Sequence, residues 1–153
     1  MTSESELVEK VPAHLRQIIE DFQLSEGQEK IELLLEYSEK MPLLPENSQH
    51  QRDEMDFVEE CMTPVYVLAV VREGGFHFYF DIPPESPTVR GFAALLAEGL
   101  DGATAEQILG LPNDFFRQMG LEKVLSMQRL NGLTALVAHI KRLATNYLAS
   151  DKG

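Results

Sequence analysis

The sequence predicts an α+β fold of two layers, in which N- and C-terminal helices pack on a small three-stranded antiparallel sheet. Apolar residues recur with helical spacing towards both ends of the chain, and strand-like alternation is confined to residues 55–81. Runs of helix, strand and then helix are typical of this class. The length of 153 residues suits one domain, which we expect over residues 12–150, after a flexible N-terminus of residues 1–11.

The N-terminal part predicts two helices joined by a short turn. The first begins at Pro12, a residue suited to the first turn of a helix, and the second follows a capping box at Ser25-Glu26-Gly27-Gln28. Prolines at 42 and 45 end the second helix, because proline excludes helical continuation. The residues predicted to face the core are Leu15, Ile18, Ile19 and Phe22 in the first helix and Ile31, Leu34 and Leu35 in the second.

The middle of the chain predicts the sheet. Residues 65–71 are apolar on both alternating faces, as in a central strand covered on each side. Gly74-Gly75 supplies the positive φ angles of a tight hairpin, and the returning strand places Phe76, Phe78 and Phe80 on one face. Residues 55–58 are the candidate third strand.

The C-terminal half predicts helices. Residues 89–100 form one helix, a capping box at Thr104 opens a short second one, and Asn113 caps the turn that follows. Arg129 falls in the connector before the last helix. That helix has the clearest apolar stripe in the chain, formed by Leu133, Leu136, Val137, Ile140, Leu143, Ala144 and Tyr147.

Composition limits the possible functions. The formal net charge of -12 opposes binding to nucleic acid or to anionic lipid. The polar, acidic start lacks the pattern of a secretory signal, and no apolar run has the length of a membrane span. We therefore expect a cytoplasmic protein that binds neither nucleic acid nor membranes. The histidines, His14, His50, His77 and His139, show no metal-ligand spacing, so no metal site is predicted.

Cys61 is the only cysteine and the main candidate for chemistry. A single cysteine excludes an internal disulfide and a cysteine-rich cluster site within one chain. Glu59 and Glu60 precede it, and neighbouring carboxylates are expected to keep the pKa of a thiol at or above its usual value. The thiol is therefore predicted to depend on a partner for activation. A cysteine hydrolase with His50 or His77 as base stays possible, although no spacing selects either.

Three segments carry a resemblance to a known family. They are Val58-x-x-Cys61-x-Thr63-Pro64-Val65-Tyr66, then Thr88-Val89-Arg90-Gly91-Phe92, and later Arg129-x-x-Gly132-Leu133. Together they resemble the SufE family of sulfur-acceptor proteins over residues 11–148, which implies a SufE/NifU-like fold. One departure is Glu60, where family members often have glycine.

The resemblance implies a role for each matching residue. Cys61 would take persulfide sulfur from a SufS-like or CsdA-like cysteine desulfurase, stimulate that enzyme, and relay the sulfur to an iron–sulfur scaffold. Arg129 would lie near the cysteine loop, where Glu60 is a further auxiliary residue. The chain itself would need no cofactor, because the desulfurase holds pyridoxal phosphate, and it would be a monomer or weak homodimer. The alternatives are an allosteric desulfurase-binding module without relay and a thiol-dependent enzyme using Cys61.

Overall fold

The computed structural model describes residues 12–41, 56–57, 65–83 and 85–151 of the chain. Helices pack against a small antiparallel sheet, in agreement with the predicted α+β class. The elements are α1 (Ala13–Gln23), α2 (Gln28–Glu39), β1 (Asp56–Phe57), β2 (Tyr66–Arg72), β3 (Gly75–Asp81), α3 (Pro87–Gly99), α4 (Ala105–Leu109) and α5 (Met127–Asp151), with two 3₁₀ turns, Phe115–Arg117 and Leu121–Lys123, before α5.

Helix α3 is the centre of the fold. Nine of its 13 residues are buried, and it packs against α1, α2, β3 and α5. A helix that is apolar on every side is stable only when neighbours cover every side. The buried residues are Val89, Gly91, Phe92, Ala93, Ala94, Leu95, Leu96, Ala97 and Gly99.

Two glycines let the N-terminal helices approach α3 closely. A Cβ atom at Gly91 would overlap the Leu34 carbonyl group of α2, and one at Gly99 would lie 3.0 Å from the Leu15 Cα atom of α1. The missing side chains therefore allow backbone-to-backbone contact on two sides of α3.

The sheet has the strand order β1-β2-β3, and both pairings are antiparallel. Of the predicted third strand, residues 55–58, the structure describes Asp56 and Phe57, which form β1, and positions 55 and 58 lie outside the described residues. The hairpin turn lies at Glu73 and Gly74, whose φ angles are 53° and 79°, and not at Gly74-Gly75. Gly75 is instead a strand residue, where a Cβ atom would lie 2.7 Å from the Gly102 carbonyl oxygen.

The phenylalanine face of β3 lies in the core as predicted. Phe76, Phe78 and Phe80 are at most 3% exposed, and their rings stack in sequence, with centroids 5.7 and 6.4 Å apart. Tyr147 of α5 meets Phe76 edge-on at 5.3 Å. The predicted coverage of both faces of β2 is wrong, because Val67 is the only fully buried residue of that strand.

The predicted capping box at the start of α2 is also wrong. Helix α2 begins after Gly27, with no side-chain cap, and the Ser25 hydroxyl donates to the Asp21 carbonyl instead. Lys30 is buried beneath this turn, and its ammonium donates to the carbonyls of Phe22 and Ser25. These contacts orient the turn towards α1.

Burial of Lys30 also rotates α2 relative to the predicted face. Leu34 and Tyr37 face the core, whereas Ile31 is only half-buried and Leu35 is exposed. The first helix follows the prediction, since Leu15, Ile18, Ile19 and Phe22 are all buried.

The C-terminal half matches the prediction at Thr104 and departs from it twice. The Thr104 hydroxyl and the Gln107 side chain form the expected capping box of α4. Asn113 caps no helix: its side-chain oxygen accepts from the Lys141 ammonium at 2.8 Å. Burial lowers the pKa of Lys141, which also donates to the Leu111 carbonyl at 2.7 Å.

Arg129 lies in the first turn of α5, and not in the connector before it.

Replacing Gly91 with alanine is expected to destabilise the fold by at least about 2 kcal/mol, because the overlapping atoms belong to the backbone and cannot move aside. Gly110→Ala is the matched control. The new Cβ there would lie 3.5 Å from its nearest neighbours, at a φ of -78°, so we expect a change within about 0.5 kcal/mol. Urea unfolding measures both, and equal stability of the two variants would contradict the packing argument.

Candidate functional site

Cys61 lies in the segment that connects β1 to β2. Residues 58–64, which include Cys61, Glu59 and Glu60, are outside the residues that the structure describes. The ends of the segment are defined, because Phe57 pairs with Tyr66 and Val65 is fully buried. Cys61 follows Phe57 by four residues, so the covalent chain alone keeps the two Cα atoms within about 14 Å. The thiol is therefore tethered to this end of the sheet.

Arg90 attaches the same end of the sheet to the helical layer. Tyr66 pairs with Asp81, and Ile82 follows directly. The Arg90 guanidinium donates to the Ile82 carbonyl at 2.7 Å and to the Ser38 carbonyl in the last turn of α2 at 3.1 Å. One side chain thus joins β3, α2 and the first turn of α3. Arg90 belongs to a segment that carries the family resemblance, and no role was predicted for it. The signal in the sequence is a cation between the apolar Val89 and Gly91, which indicates an internal partner.

Arg129 is exposed at the start of α5. Its backbone N–H donates to the Ser126 hydroxyl at 3.3 Å, which is the geometry of a helix N-cap. Among the described residues, the guanidinium has no hydrogen bond or ion pair. Met127, two residues earlier, is 68% exposed. The predicted proximity of Arg129 to the cysteine loop is not tested, because that loop lies outside the described residues, as does Glu60.

Two histidine–carboxylate pairs are present in the described part of the chain, one between β3 and the residues after α3 and the other between α1 and α3. His77 Nδ1 lies 2.6 Å from Asp101 Oδ1, and His14 Nε2 lies 3.6 Å from Glu98 Oε2. A carboxylate only accepts hydrogen bonds, so Nδ1 of His77 carries the hydrogen. Within residues 12–41, 56–57, 65–83 and 85–151, no group of three or more metal-ligating side chains is placed to hold a metal ion. No helix in that part of the chain is long and apolar enough to span a membrane.

A cleft of about 360 Å³ lies beside these pairs, between α1, α2, β3 and α3. Tyr37 forms part of its wall, and its ring stacks on Phe22 with centroids 6.2 Å apart. Burial raises the pKa of Tyr37 to about 12, and the negative charges of Glu98, Asp21 and Glu36 and a hydrogen bond to Glu98 act in the same direction.

Comparisons with known proteins identify the class. The family model for SufE, described as an Fe-S metabolism associated domain, matches residues 16–144. An uncharacterized SufE-like protein of Mycobacterium tuberculosis is 39% identical over 133 residues, which cover 86% of this chain and 92% of that protein. The cysteine desulfuration protein SufE of Plasmodium vivax is 25% identical over 142 residues, covering 90% of this chain and 55% of its own.

A solved structure agrees with the sequence comparisons. The solution structure of a hypothetical protein from Thermus thermophilus superposes with a TM-score of 0.79 at 37% identity, covering 91% of this chain and 98% of the other. The α+β fold of this chain is thus shared with that protein. The chain belongs to the SufE family.

The raised pKa of Tyr37 predicts a loss of stability in alkali. Its phenol ionises near pH 10 in the unfolded chain and near pH 12 in the folded one. The stability that Tyr37 contributes through its raised pKa is fully present below pH 10. It is lost as the pH rises to 12, because the phenol releases its proton first in the unfolded state. Tyr37→Phe should reduce this loss and remove one late-ionising phenol from the ultraviolet titration. Identical profiles of unfolding free energy against pH for the wild-type protein and Tyr37→Phe would refute the assignment of the alkaline loss to Tyr37.

Proposed function

We propose that this protein accepts sulfur on Cys61 from a cysteine desulfurase and passes it to iron–sulfur cluster assembly. The observation that carries the proposal is that a member of the SufE family contains a single cysteine, so thiol chemistry in this chain has one possible site. The family description refers to iron–sulfur metabolism, and the Plasmodium vivax relative is named for cysteine desulfuration.

The transfer is a thiol exchange. The Cys61 thiolate attacks the outer sulfur of the donor's cysteine persulfide, a new S–S bond forms, and the donor cysteine leaves as a thiolate. Cys61 then carries an S–SH group, which an acceptor thiolate attacks in the same way. Each step breaks one S–S bond and forms another, so no external oxidant or reductant is consumed. The rate depends on the thiolate fraction and on access to the sulfur.

The protein scaffold supplies position, and the partner supplies activation. Glu59 and Glu60 disfavour a preformed thiolate at Cys61, so sulfur transfer takes place after docking with a SufS-like or CsdA-like desulfurase. That enzyme holds the pyridoxal phosphate, and the acceptor chain stimulates its turnover. Arg129, exposed at the start of α5, assists from the edge of the contact, with Glu60 as a second auxiliary residue. The protein acts in the cytoplasm, as a monomer or weak homodimer.

Intact mass after incubation with a desulfurase and L-cysteine tests the proposal. The expected result is a gain of one or more sulfur atoms that reductant reverses and that Cys61→Ser abolishes. If the desulfurase turns over faster while no sulfur is added, the protein is an allosteric module. If neither effect occurs with several desulfurases, the proposal is wrong.

The same assay examines Arg129 with a matched control. Arg129→Ala should slow sulfur loading about fivefold, which corresponds to the roughly 1 kcal/mol of an exposed charge contact. Arg142→Ala removes an equal charge from an exposed position further along α5 and should leave the loading rate unchanged. Equal rates for the two variants would remove Arg129 from the proposed contact.

A further inference from the structure

Arg90 connects the element that precedes Cys61 in the chain to the end of the sheet that follows it. Its Nε donates to the Ser38 carbonyl at 3.1 Å, and its Nη1 donates to the Ile82 carbonyl at 2.7 Å. Ser38 lies in the last turn of α2, which is followed along the chain by β1 and then by Cys61. Ile82 directly follows β3, whose last residue pairs with Tyr66 at the start of β2. One guanidinium therefore holds both sides of the stretch that contains the thiol.

The residues that follow each carbonyl cannot supply the donor that Arg90 supplies. In a helix, the Ser38 carbonyl would accept from the N–H four residues later, and that position is Pro42, which has no N–H. Ile82 is followed by two prolines, which also lack this group. Ser38 and Ile82 are 9% and 1% exposed, and a buried carbonyl without a donor is costly. Among the described residues, Arg90 is the donor to both carbonyls.

The relative placement of these two ends matters for the proposed transfer. Attack on a donor persulfide requires the acceptor sulfur at a defined place in the docked complex, and a small displacement of a reacting group lowers the rate by a large factor. We propose that Arg90 is a positioning residue for sulfur transfer, which fixes α2 and the sheet end on either side of Cys61. This role, which rests on the proposed function, concerns the transfer step within the complex, because Arg90 acts through the elements that it joins.

Single-turnover loading of Cys61 tests this role. A desulfurase treated beforehand with L-cysteine is mixed with increasing concentrations of the full chain, and intact mass follows the sulfur gained. Arg90→Met should lower the maximal loading rate about tenfold and change the half-saturating concentration less than about twofold. Arg90→Lys should recover most of the rate, because an ammonium can donate to two carbonyls, as Lys30 does beyond the end of α1.

Lys141→Met is the matched control. Lys141 is also a half-buried cation that donates to two uncharged acceptors, the Leu111 carbonyl and the Asn113 side-chain oxygen. It attaches α5 to the residues after α4, and its removal should leave the maximal loading rate unchanged. Urea unfolding of both methionine variants measures their stability, so a loss of rate specific to position 90 is distinguished from a general weakening of the fold.

Three results would overturn the role of Arg90: an unchanged maximal rate in Arg90→Met, an equal reduction in Lys141→Met, or a change confined to the half-saturating concentration. If Arg90→Met does not fold, Arg90→Gln replaces it and should lower the maximal rate in the same direction, because its amide has a single donor nitrogen. A wild-type chain that gains no sulfur would refute the proposed function and this role with it. Equal loading of the wild-type and Arg90 variants would refute this role alone.

Discussion

Close packing of α3 on α2 at Gly91 controls both the helical packing and the attachment of the sheet. Without a side chain at this position, the α3 backbone lies directly on the Leu34 carbonyl group. The preceding residue, Arg90, then reaches both the last turn of α2 and the residue after β3. The position of the sheet end that leads to Cys61 therefore follows from one close helix contact. A larger residue at 91 would change the helical packing and the attachment of the sheet together.

Buried or half-buried cations bind carbonyl oxygens at the C-terminal ends of several helices in this acidic protein. Lys30 donates beyond the end of α1, Arg90 at the end of α2 and Lys141 beyond the end of α4. Carbonyls at helix C-termini lack intrahelical partners and carry partial negative charge. A cation there donates the missing hydrogen bond and also compensates the charge. The chain has 13 basic residues against 25 acidic ones, and these three act within the fold. These three cations therefore offset less of the acidic charge at the outer surface than composition alone suggests.

The proposed sulfur chemistry suits a scaffold of this kind. A relay needs one thiol at a defined place and the means to meet two partners in turn. The hairpin, the Arg90 contacts and buried Val65 define where the Cys61 segment begins and ends. In the proposed mechanism, activation of the thiol is left to the partner, so sulfur transfer is restricted to the docked complex.

The α+β class could be predicted from the order of helical and strand-like patterns along the chain. The buried face of α1, the phenylalanine face of β3 and the capping box at Thr104 could also be predicted, because each depends on neighbours within a few residues. Composition and the family motif also make Cys61 the candidate for thiol chemistry, a prediction that the described residues do not test. Only the structure revealed the start of α2, the partner of Asn113 and the helical position of Arg129. The Ser25 hydroxyl donates to the Asp21 carbonyl and does not cap α2. The distant Lys141 ammonium binds the Asn113 side-chain oxygen that the local pattern assigns to a cap. The cleft likewise required the structure, since His14, Tyr37 and Glu98 come from different helices and meet only when α1 and α2 pack on α3.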